Sequence, residues 1–302
     1  MTKFRVNKTK HVDQTKTVSF NFDGKSYHGF DGDTLASALL SNGVHLVGRS
    51  FKYHRPRGIM TCGSEEPNAI CQTNEDTDLT EPNVRATEIE LYEGLKASSQ
   101  NCWPSVNFDI GGINNFISPF IPAGFYYKTF MWPKSFWKKI YEPLIRWSAG
   151  LGKSPTKPDP ELYDHKHVHC DVLIIGGGIS GIIASKIAAK NNLKTILIED
   201  KNILGGSTIF QKNENYKIND KYSGEWIDEE IAELKKLDNL TIKTRTSLAA
   251  YHSYNYLLAK ENISDHLPLD KRNGSIRQRL WKIRADKVIA VSYTHLRAHE
   301  TR

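Results

Sequence analysis

The sequence predicts an α/β protein with two unlike domains, and two stretches carry that prediction. In the second half of the chain, residues 171–181 read as a short apolar strand that glycines turn directly into a helix, and 195–198 read as a second apolar strand. In the first half, apolar and polar residues alternate across 18–30 around an Asp-Gly turn, which is typical of a β-hairpin. We therefore expect a small antiparallel domain followed by a Rossmann-type domain.

The first domain is expected to span 1–110. Asp33 is placed to cap a helix over 34–40, and Gly43 lies just past its end. Hairpin, helix and the extended 44–47 follow one another in the order typical of a β-grasp module, the architecture of ferredoxin-type domains.

The cysteines argue against a metal centre in this domain. Cys62, Cys71, Cys102 and Cys170 form no C-x-x-C pair and no zinc-finger spacing, so reduced thiols are expected. A ferredoxin cluster needs four thiolates, usually from a C-x4-C-x2-C run, and Cys62 and Cys71 are wrongly spaced for one. We predict a ferredoxin-like fold with no Fe–S cluster and no bound metal.

A basic loop over 48–58 interleaves arginines and lysine with aromatic residues. Such a loop could bind phosphate or RNA. The interpretation we favour pairs Arg55 and Arg57 with nearby acids, Glu65 and Glu66 among them, or with another subunit. The formal net charge of +7 is spread along the chain, so no nucleic-acid partner is expected.

Residues 111–165 read as an aromatic-rich segment that ends in a Pro-rich connector. Phe136, Ile140 and Leu144 recur at helical spacing, and Pro143 is expected to interrupt that helix. This favours packing against a domain or subunit over a membrane surface. With no apolar span and no signal-like N-terminus, the sequence predicts a cytoplasmic protein without membrane contact.

The Rossmann-type domain is expected over 166–291. His165, His167 and His169 precede its first strand as a polar lead-in, and they lack nearby carboxylates that would complete a metal site. Further on, an amphipathic helix is predicted from 225 and strands at 240–244 and around 288–291. Residues 292–302 follow no strand or helix period and resemble a translated adapter remnant, so we expect a non-native tail.

The glycines of 176–181 are spaced for binding a dinucleotide. Gly176 allows the tight turn, Gly178 lets the backbone approach a pyrophosphate, and Gly181 lets helix and strand pack closely. Glu199, about 20 residues further on, is placed to accept hydrogen bonds from an adenosine ribose, which favours NAD or FAD over NADP.

A second glycine pair, 205–206, predicts another close-approach loop. Gly206 belongs to it, and Ser207 and Thr208 offer hydroxyls to the same ligand.

Several further stretches together resemble a known family. They include GRSFKYHRPRG at 48–58 and AGFYYKTFMW at 123–132, with shorter matches at 32–40, 65–68, 99–101, 103–104 and 149–152. The family they resemble is the alpha subunit of heterotetrameric sarcosine oxidase.

The resemblance implies an oxidoreductase that acts on CH–NH groups. It would demethylate sarcosine to glycine, reduce oxygen to hydrogen peroxide and pass the one-carbon unit to tetrahydrofolate. NAD would bind this chain, FAD would belong to the beta subunit, and FMN would lie between alpha and beta, with gamma and delta subunits completing the complex. The implied cofactor contacts, to which the glycine loop adds Gly206, are Gly176, Gly178, Ser180, Gly181, Glu199, Asp200, Lys201 and Ser207.

No catalytic residue can be named in this chain. The family continues beyond 291 into the rest of its nucleotide-binding region and a folate-binding domain, so we expect an N-terminal fragment that is inactive alone. Two other interpretations stay open. One is a subunit of a related FAD- or NAD-dependent dehydrogenase, of the opine oxidase, proline dehydrogenase or hydrogen cyanide synthase type; the other is a non-catalytic basic assembly or RNA-binding module.

Overall fold

A computed structural model describes residues 4–5, 11–75, 77–120, 124, 130, 132–210 and 217–291. The predicted tail at 292–302 and most of the aromatic motif at 123–132 lie outside these residues. Contacts divide the chain into two compact units, Met1–Pro160 with His266–Lys271, and Glu161–Asp265 with Arg272–Arg302. Within the described residues, no helix combines the length and the apolar character needed to cross a membrane.

The first unit contains one antiparallel-rich sheet and a short helix packed on it. Its elements are β1 (Asp13–Phe22), β2 (Lys25–Asp31), α1 (Leu35–Ser41), β3 (Gly48–Arg49), β4 (Pro56–Arg57), β5 (Ile70–Thr73), β6 (Glu81–Arg85), β7 (Leu95–Ser99) and α2 (Glu142–Ser148). The sheet order is β2-β1-β7-β5-β6, and β3 and β4 form a separate two-stranded ribbon. β1 pairs antiparallel with β2 and parallel with β7, which places the predicted hairpin at one edge of the sheet.

Helix α1 supplies much of the first core. Leu35 and Leu39 are fully buried and cluster with Phe20, Phe22 and Leu95 of the sheet. The predicted cap is off by one residue, because Thr34 is the N-cap and accepts a hydrogen bond from the Ser37 N–H. Asp33 instead accepts from the Ser37 hydroxyl and pairs with Arg5, so its carboxylate is already used.

Proline 143 does not break the predicted aromatic helix. A π-helical stretch, Trp137–Tyr141, runs directly into α2, and Pro143 lies in the first turn of α2. The proline therefore stands where the π-helical stretch changes to the α-helix, in a first-turn position where proline is tolerated. The prediction that Pro143 interrupts the helix is therefore wrong.

The second unit contains a six-stranded sheet with helices on one face. Its elements are β8 (Leu162–Ile175), α3 (Ile179–Lys190), β9 (Thr195–Ile198), β10 (Lys217–Ile218), β11 (Lys221–Tyr222), α4 (Ser223–Leu234), β12 (Leu240–Lys243), β13 (Thr246–His252), β14 (Tyr256–Asn262) and β15 (Ile276–Ala290). The sheet order is β12-β9-β8-β15-β14-β13. The first four strands are parallel neighbours, and β14 and β13 add an antiparallel edge.

Strand β8 is longer than the apolar run that predicted it. His165, His167 and His169 are part of the strand and pair in parallel with β15, so the polar lead-in is itself sheet. The three side chains alternate with their neighbours and are exposed. Nowhere in the described residues do three or more His, Cys, Asp or Glu side chains group closely enough to hold a metal ion.

The apolar end of β8 is buried on both faces, as its sequence predicts. Val172 and Ile174 pack with Ile182 of α3 and Leu234 of α4 on the helical face. Their neighbours in the strand point to the opposite face and pack with residues of β14 and β15. This central strand carries the glycine loop at its carboxyl end.

Candidate dinucleotide-binding site

The glycine loop joins the end of β8 to the start of α3 in three residues. Gly176 has φ +104°, in the region that favours glycine, and its N–H donates to the Ile198 carbonyl at 2.9 Å. Gly178 is the N-cap of α3 and has no side chain to cap the first turn. The first N–H groups of this helix therefore remain available to an anion at the positive end of the helix dipole.

Two glycines of the loop have different reasons to lack a side chain. A Cβ on Gly181 would lie 1.8 Å from the Gly176 carbonyl oxygen, so the close approach of helix and strand excludes any other residue there. A Cβ on Gly178 would meet nothing nearer than the Gly206 Cα, at 4.0 Å. The chain's own packing therefore leaves space for a methyl group at Gly178, in the place where a pyrophosphate would approach.

A second glycine loop packs backbone to backbone on the first. Gly205 and Gly206 have φ values of +128° and +56°, and the Gly205 N–H donates to the Gly177 carbonyl at 2.8 Å. A Cβ on Gly206 would lie 2.9 Å from the Gly178 Cα. The two glycine loops predicted from the sequence therefore lie in contact with each other in the structure.

Glu199 is buried beneath the glycine loop, with 6% of its surface exposed. One carboxylate oxygen accepts the Gly177 N–H at 2.5 Å, and the other accepts the Lys201 N–H at 3.0 Å. A carboxylate has about four lone-pair sites, so at least one remains for a hydroxyl donor. The side chain can hold the loop and still accept from a ribose.

The protonation of Glu199 changes near neutral pH. Burial raises the pKa of its carboxyl to about 7, and a hydrogen bond with the Asp200 carboxyl adds to the rise. The Lys201 and Gly177 N–H groups oppose it, because they favour the charged form. The carboxylate that a ribose hydroxyl requires is therefore the main form only above about pH 7.

The other predicted contacts differ in their exposure. Ser180, Asp200 and Ser207 are exposed, and Lys201 and Gly206 are partly buried. The hydroxyl of Thr208 is buried and donates to the Gly205 carbonyl, so it stabilises the second loop and is not offered to a ligand.

Sequence reasoning missed Gly177. Its N–H binds Glu199 and its carbonyl binds Gly205, so it links the acid to both loops. A Cβ there would lie 2.4 Å from the Leu204 side chain. The run of three glycines could have indicated this role, because the dinucleotide-binding pattern requires only the first and third glycine of the run and leaves Gly177 unexplained.

The thiols of the first unit do not fit an iron–sulfur cluster. Cys71 is fully buried in the core, and this burial raises the pKa of its thiol to about 12. Cys62 is exposed, and burial raises the pKa of Cys102 to about 11. A cluster requires four convergent thiolates, whereas the first unit has three cysteines, of which Cys71 is enclosed in the core and Cys62 is exposed.

The fold and the site together define a class of protein. A parallel sheet whose central strand ends in a glycine loop, with a buried acid at the end of the next strand, is typical of a domain that binds FAD or NAD. The family model described as "FAD dependent oxidoreductase" matches residues 171–278, and the model described as "2Fe-2S iron-sulfur cluster binding domain" matches residues 15–102. The chain therefore combines a ferredoxin-like domain with an FAD-dependent oxidoreductase domain, which confirms the predicted fold class.

The particular relatives are sarcosine oxidases. The chain is 44% identical over 289 residues to sarcosine oxidase subunit alpha of Rhizobium meliloti (strain 1021), a match that covers 96% of this chain and 29% of the relative. It is 29% identical over 288 residues to sarcosine oxidase subunit alpha of Corynebacterium sp. (strain P-1), covering 95% of this chain and 25% of the relative. These matches confirm the resemblance recognised in the sequence, and the chain spans less than a third of the length of these relatives.

A solved structure shares the fold. The L-proline dehydrogenase of P. horikoshii matches with a TM-score of 0.58 and 20% identity, over 97% of this chain and 43% of that one. At this identity the match shows the fold and leaves the substrate open.

Proposed function

We propose that this chain forms the dinucleotide-binding part of the alpha subunit of a sarcosine oxidase, in which sarcosine, oxygen and tetrahydrofolate react. The observation that carries the proposal is the space at Gly178, which the chain's packing does not require and a pyrophosphate would use. The 44% identity along nearly the whole chain supports the choice of sarcosine.

Within that enzyme, the residues of this chain bind and orient the cofactor. The helix α3 N-terminus and Gly178 would hold the pyrophosphate, and Glu199 would hold the adenosine ribose. Asp200, Lys201 and Ser207 would contact the rest of the adenosine. The bound cofactor would supply a ring that accepts or carries hydride. We propose NAD as the ligand of this chain, with FAD and FMN elsewhere in the complex.

Cofactor choice should depend on the charge of Glu199. At pH 8, above its pKa of about 7, the carboxylate should bind NAD in preference to NADP, because it repels the additional phosphate of NADP. Glu199→Gln keeps the shape and removes the charge, so NAD should bind more weakly and the preference should shrink. Isothermal titration calorimetry with both nucleotides measures this.

Two results would oppose that assignment. One is equal affinity of the parent chain for NAD and NADP. The other is FAD that copurifies tightly with the second unit, which would give the same loops to a flavin.

We also propose that the first unit carries the ferredoxin-like fold without a cluster. Its support is the burial of Cys71 and the exposure of Cys62, which leave no set of four thiolates. Elemental analysis of the purified protein is expected to find no stoichiometric iron or acid-labile sulfide, and a stoichiometric amount of either would contradict this.

A partner subunit is proposed to cover the aromatic helix of the first unit. Along 137–148 the apolar side chains Trp137, Ile140, Leu144 and Trp147 follow a helical stripe, and 40%, 45%, 61% and 73% of their surfaces are exposed. No acidic residue occurs between Asp109 and Glu142, whereas lysines occur at 134, 138 and 139. An apolar stripe with lysines beside it fits a partner surface that is apolar and acidic at its edge.

A negative charge introduced on this stripe should prevent assembly. Trp147→Glu should greatly reduce the partner subunits that copurify with the chain, because it buries a carboxylate at the interface. Ile187→Glu is the matched control, since Ile187 is 58% exposed on helix α3 of the second unit. Equal recovery of partner subunits with Trp147→Glu and the parent chain would exclude this helix as the interface.

A further inference from the structure

The first unit contains a small cleft that the proposed function does not use. It has a volume of about 170 Å³ and lies beside the β3–β4 ribbon. Arg49, Arg57, Asn68 and Asn101 line it together with Ser50 and Phe51, and no lining residue is acidic.

The charge of Arg49 is fixed in place without being neutralised. Its Nε and Nη2 atoms donate to the Val106 carbonyl at 2.8 and 2.6 Å, and Nη1 donates to the His54 carbonyl at 3.3 Å. These acceptors are neutral, so the guanidinium keeps its full positive charge in one orientation. The Asn101 side chain donates to the Arg49 carbonyl at 2.6 Å and so also fixes the backbone of β3 at this residue.

Arg57 lies on the neighbouring strand, where it pairs through the backbone with Gly48. Its side chain is partly buried and forms no hydrogen bond or ion pair with any residue that the structure describes. The acids expected to neutralise it do not. Glu65 forms no ion pair within the described part of the chain, and the Glu66 carboxylate accepts backbone N–H groups.

Arg55 has other contacts, although it belongs to the same loop. Its Nε donates to the Asn115 side chain at 2.8 Å, and its guanidinium lies 4.8 Å from the centre of the Tyr53 ring. The predicted ion pairs of Arg55 and Arg57 with Glu65 and Glu66 are therefore wrong. Of the two arginines, Arg57 alone lines the cleft.

We propose that this cleft binds a phosphate group, with Arg57 as the contacting cation and Arg49 as a fixed second charge. Two guanidinium groups without an acid favour a dianion with several acceptor oxygens over a single carboxylate. The Asn68 amide, for which no partner occurs among the described residues, can donate a further hydrogen bond.

The size of the cleft limits the ligand. Pockets that enclose drug-sized molecules have volumes of about 300–1,000 Å³, so this cleft takes one small group and leaves the rest of any larger ligand outside. A single-stranded nucleic acid needs a groove that follows several successive phosphates. A free phosphate or the terminal phosphate of a small ester is the better fit.

Titration of the full chain with inorganic phosphate tests the proposal. At constant ionic strength, with chloride as the comparison, phosphate should bind and raise the melting temperature. Arg57→Gln should weaken phosphate binding by about tenfold or more, the loss expected for a charge-assisted contact. Arg55→Gln makes the same change of charge in the same loop outside the cleft, and it should leave the affinity within about twofold.

A second readout separates a binding role from a structural one. Without phosphate, Arg57→Gln should leave the melting temperature unchanged or raise it, because the side chain has no partner to lose and its charge lies near that of Arg49. The proposal is overturned if phosphate stabilises no better than chloride, if both variants weaken binding equally, or if Arg57→Gln lowers the melting temperature without phosphate.

Discussion

Gly178→Ala is expected to lower the affinity for NAD by about tenfold or more while leaving the fold intact. The added methyl group would lie 4.0 Å from its nearest protein neighbour, so it disturbs nothing in the chain itself. It would occupy the position where a pyrophosphate approaches the backbone. Calorimetric titration with NAD measures the loss, and thermal unfolding without ligand checks the fold.

Gly181→Ala is the informative contrast. Its methyl group would lie 1.8 Å from the Gly176 carbonyl oxygen, so helix α3 and strand β8 would have to separate. That variant should lose thermal stability as well as binding. If Gly178→Ala binds NAD as tightly as the parent chain, the glycine loop is not a pyrophosphate site.

Glu66→Ala is expected to destabilise the first unit by about 3 kcal/mol or more, because it leaves four backbone N–H groups without their acceptor. The carboxylate is 1% exposed and accepts from the N–H groups of Met60, Thr61, Asn68 and Ala69, at 2.7 to 3.1 Å. One side chain thus joins two turns of the loop between β4 and β5. Denaturant unfolding, followed by a probe in the first unit, measures the change.

The free energy of unfolding of the first unit should fall at low pH because of Glu66. Burial alone would raise the pKa of Glu66, but the four N–H donors outweigh it and lower the pKa below its usual 4.5. The stability that this group contributes is therefore present above about pH 4.5 and is lost as the pH falls through the lowered pKa. In the Glu66→Ala variant, this decrease in stability at low pH should be absent.

Glu65→Ala is the matched control for Glu66→Ala. Glu65 is the exposed neighbour in the same Glu-Glu-Pro motif and forms no ion pair within the described part of the chain. Its removal should change the free energy of unfolding by no more than about 0.5 kcal/mol. Similar losses for the two variants would mean that the N–H groups around Glu66 find other acceptors.

Those parts of the fold that depend on neighbouring residues could be predicted from the sequence, and those that depend on distant residues could not. The hairpin of β1 and β2 and the strand–glycine–helix order of β8 and α3 both depend on residues close together in the chain. The polar half of β8 does not, because His167 pairs with Lys282, more than a hundred residues away. A strand rich in charged and histidine side chains lacks the apolar pattern that would predict it, and the strand that stabilises it is distant in the sequence.

In the candidate site, too, local features could be predicted from the sequence and contacts between distant residues could not. Spacing alone indicates Gly178 and Glu199, since the pattern of glycines and a later acid is local and regular. That Glu199 also binds the Gly177 N–H, or that Arg57 lacks the acid expected beside it, depends on which groups burial brings together. In the cap of α1, Asp33 and Thr34 are equally suitable by residue type, and the contact of Asp33 with Arg5 accompanies the choice of Thr34.

The contact of Glu199 with Gly177 has a consequence for the thermodynamics of binding. Through Gly177, the acid and the Gly205 N–H hold both glycine loops in one arrangement before any ligand is present. The conformational entropy of these loops is thus lost when the domain folds. Binding of a dinucleotide therefore carries only a small additional entropy cost for ordering the loops. The association rate should then be limited by diffusion and by orientation of the ligand, as for a rigid receptor, and changes in affinity should reside mainly in the rate of release.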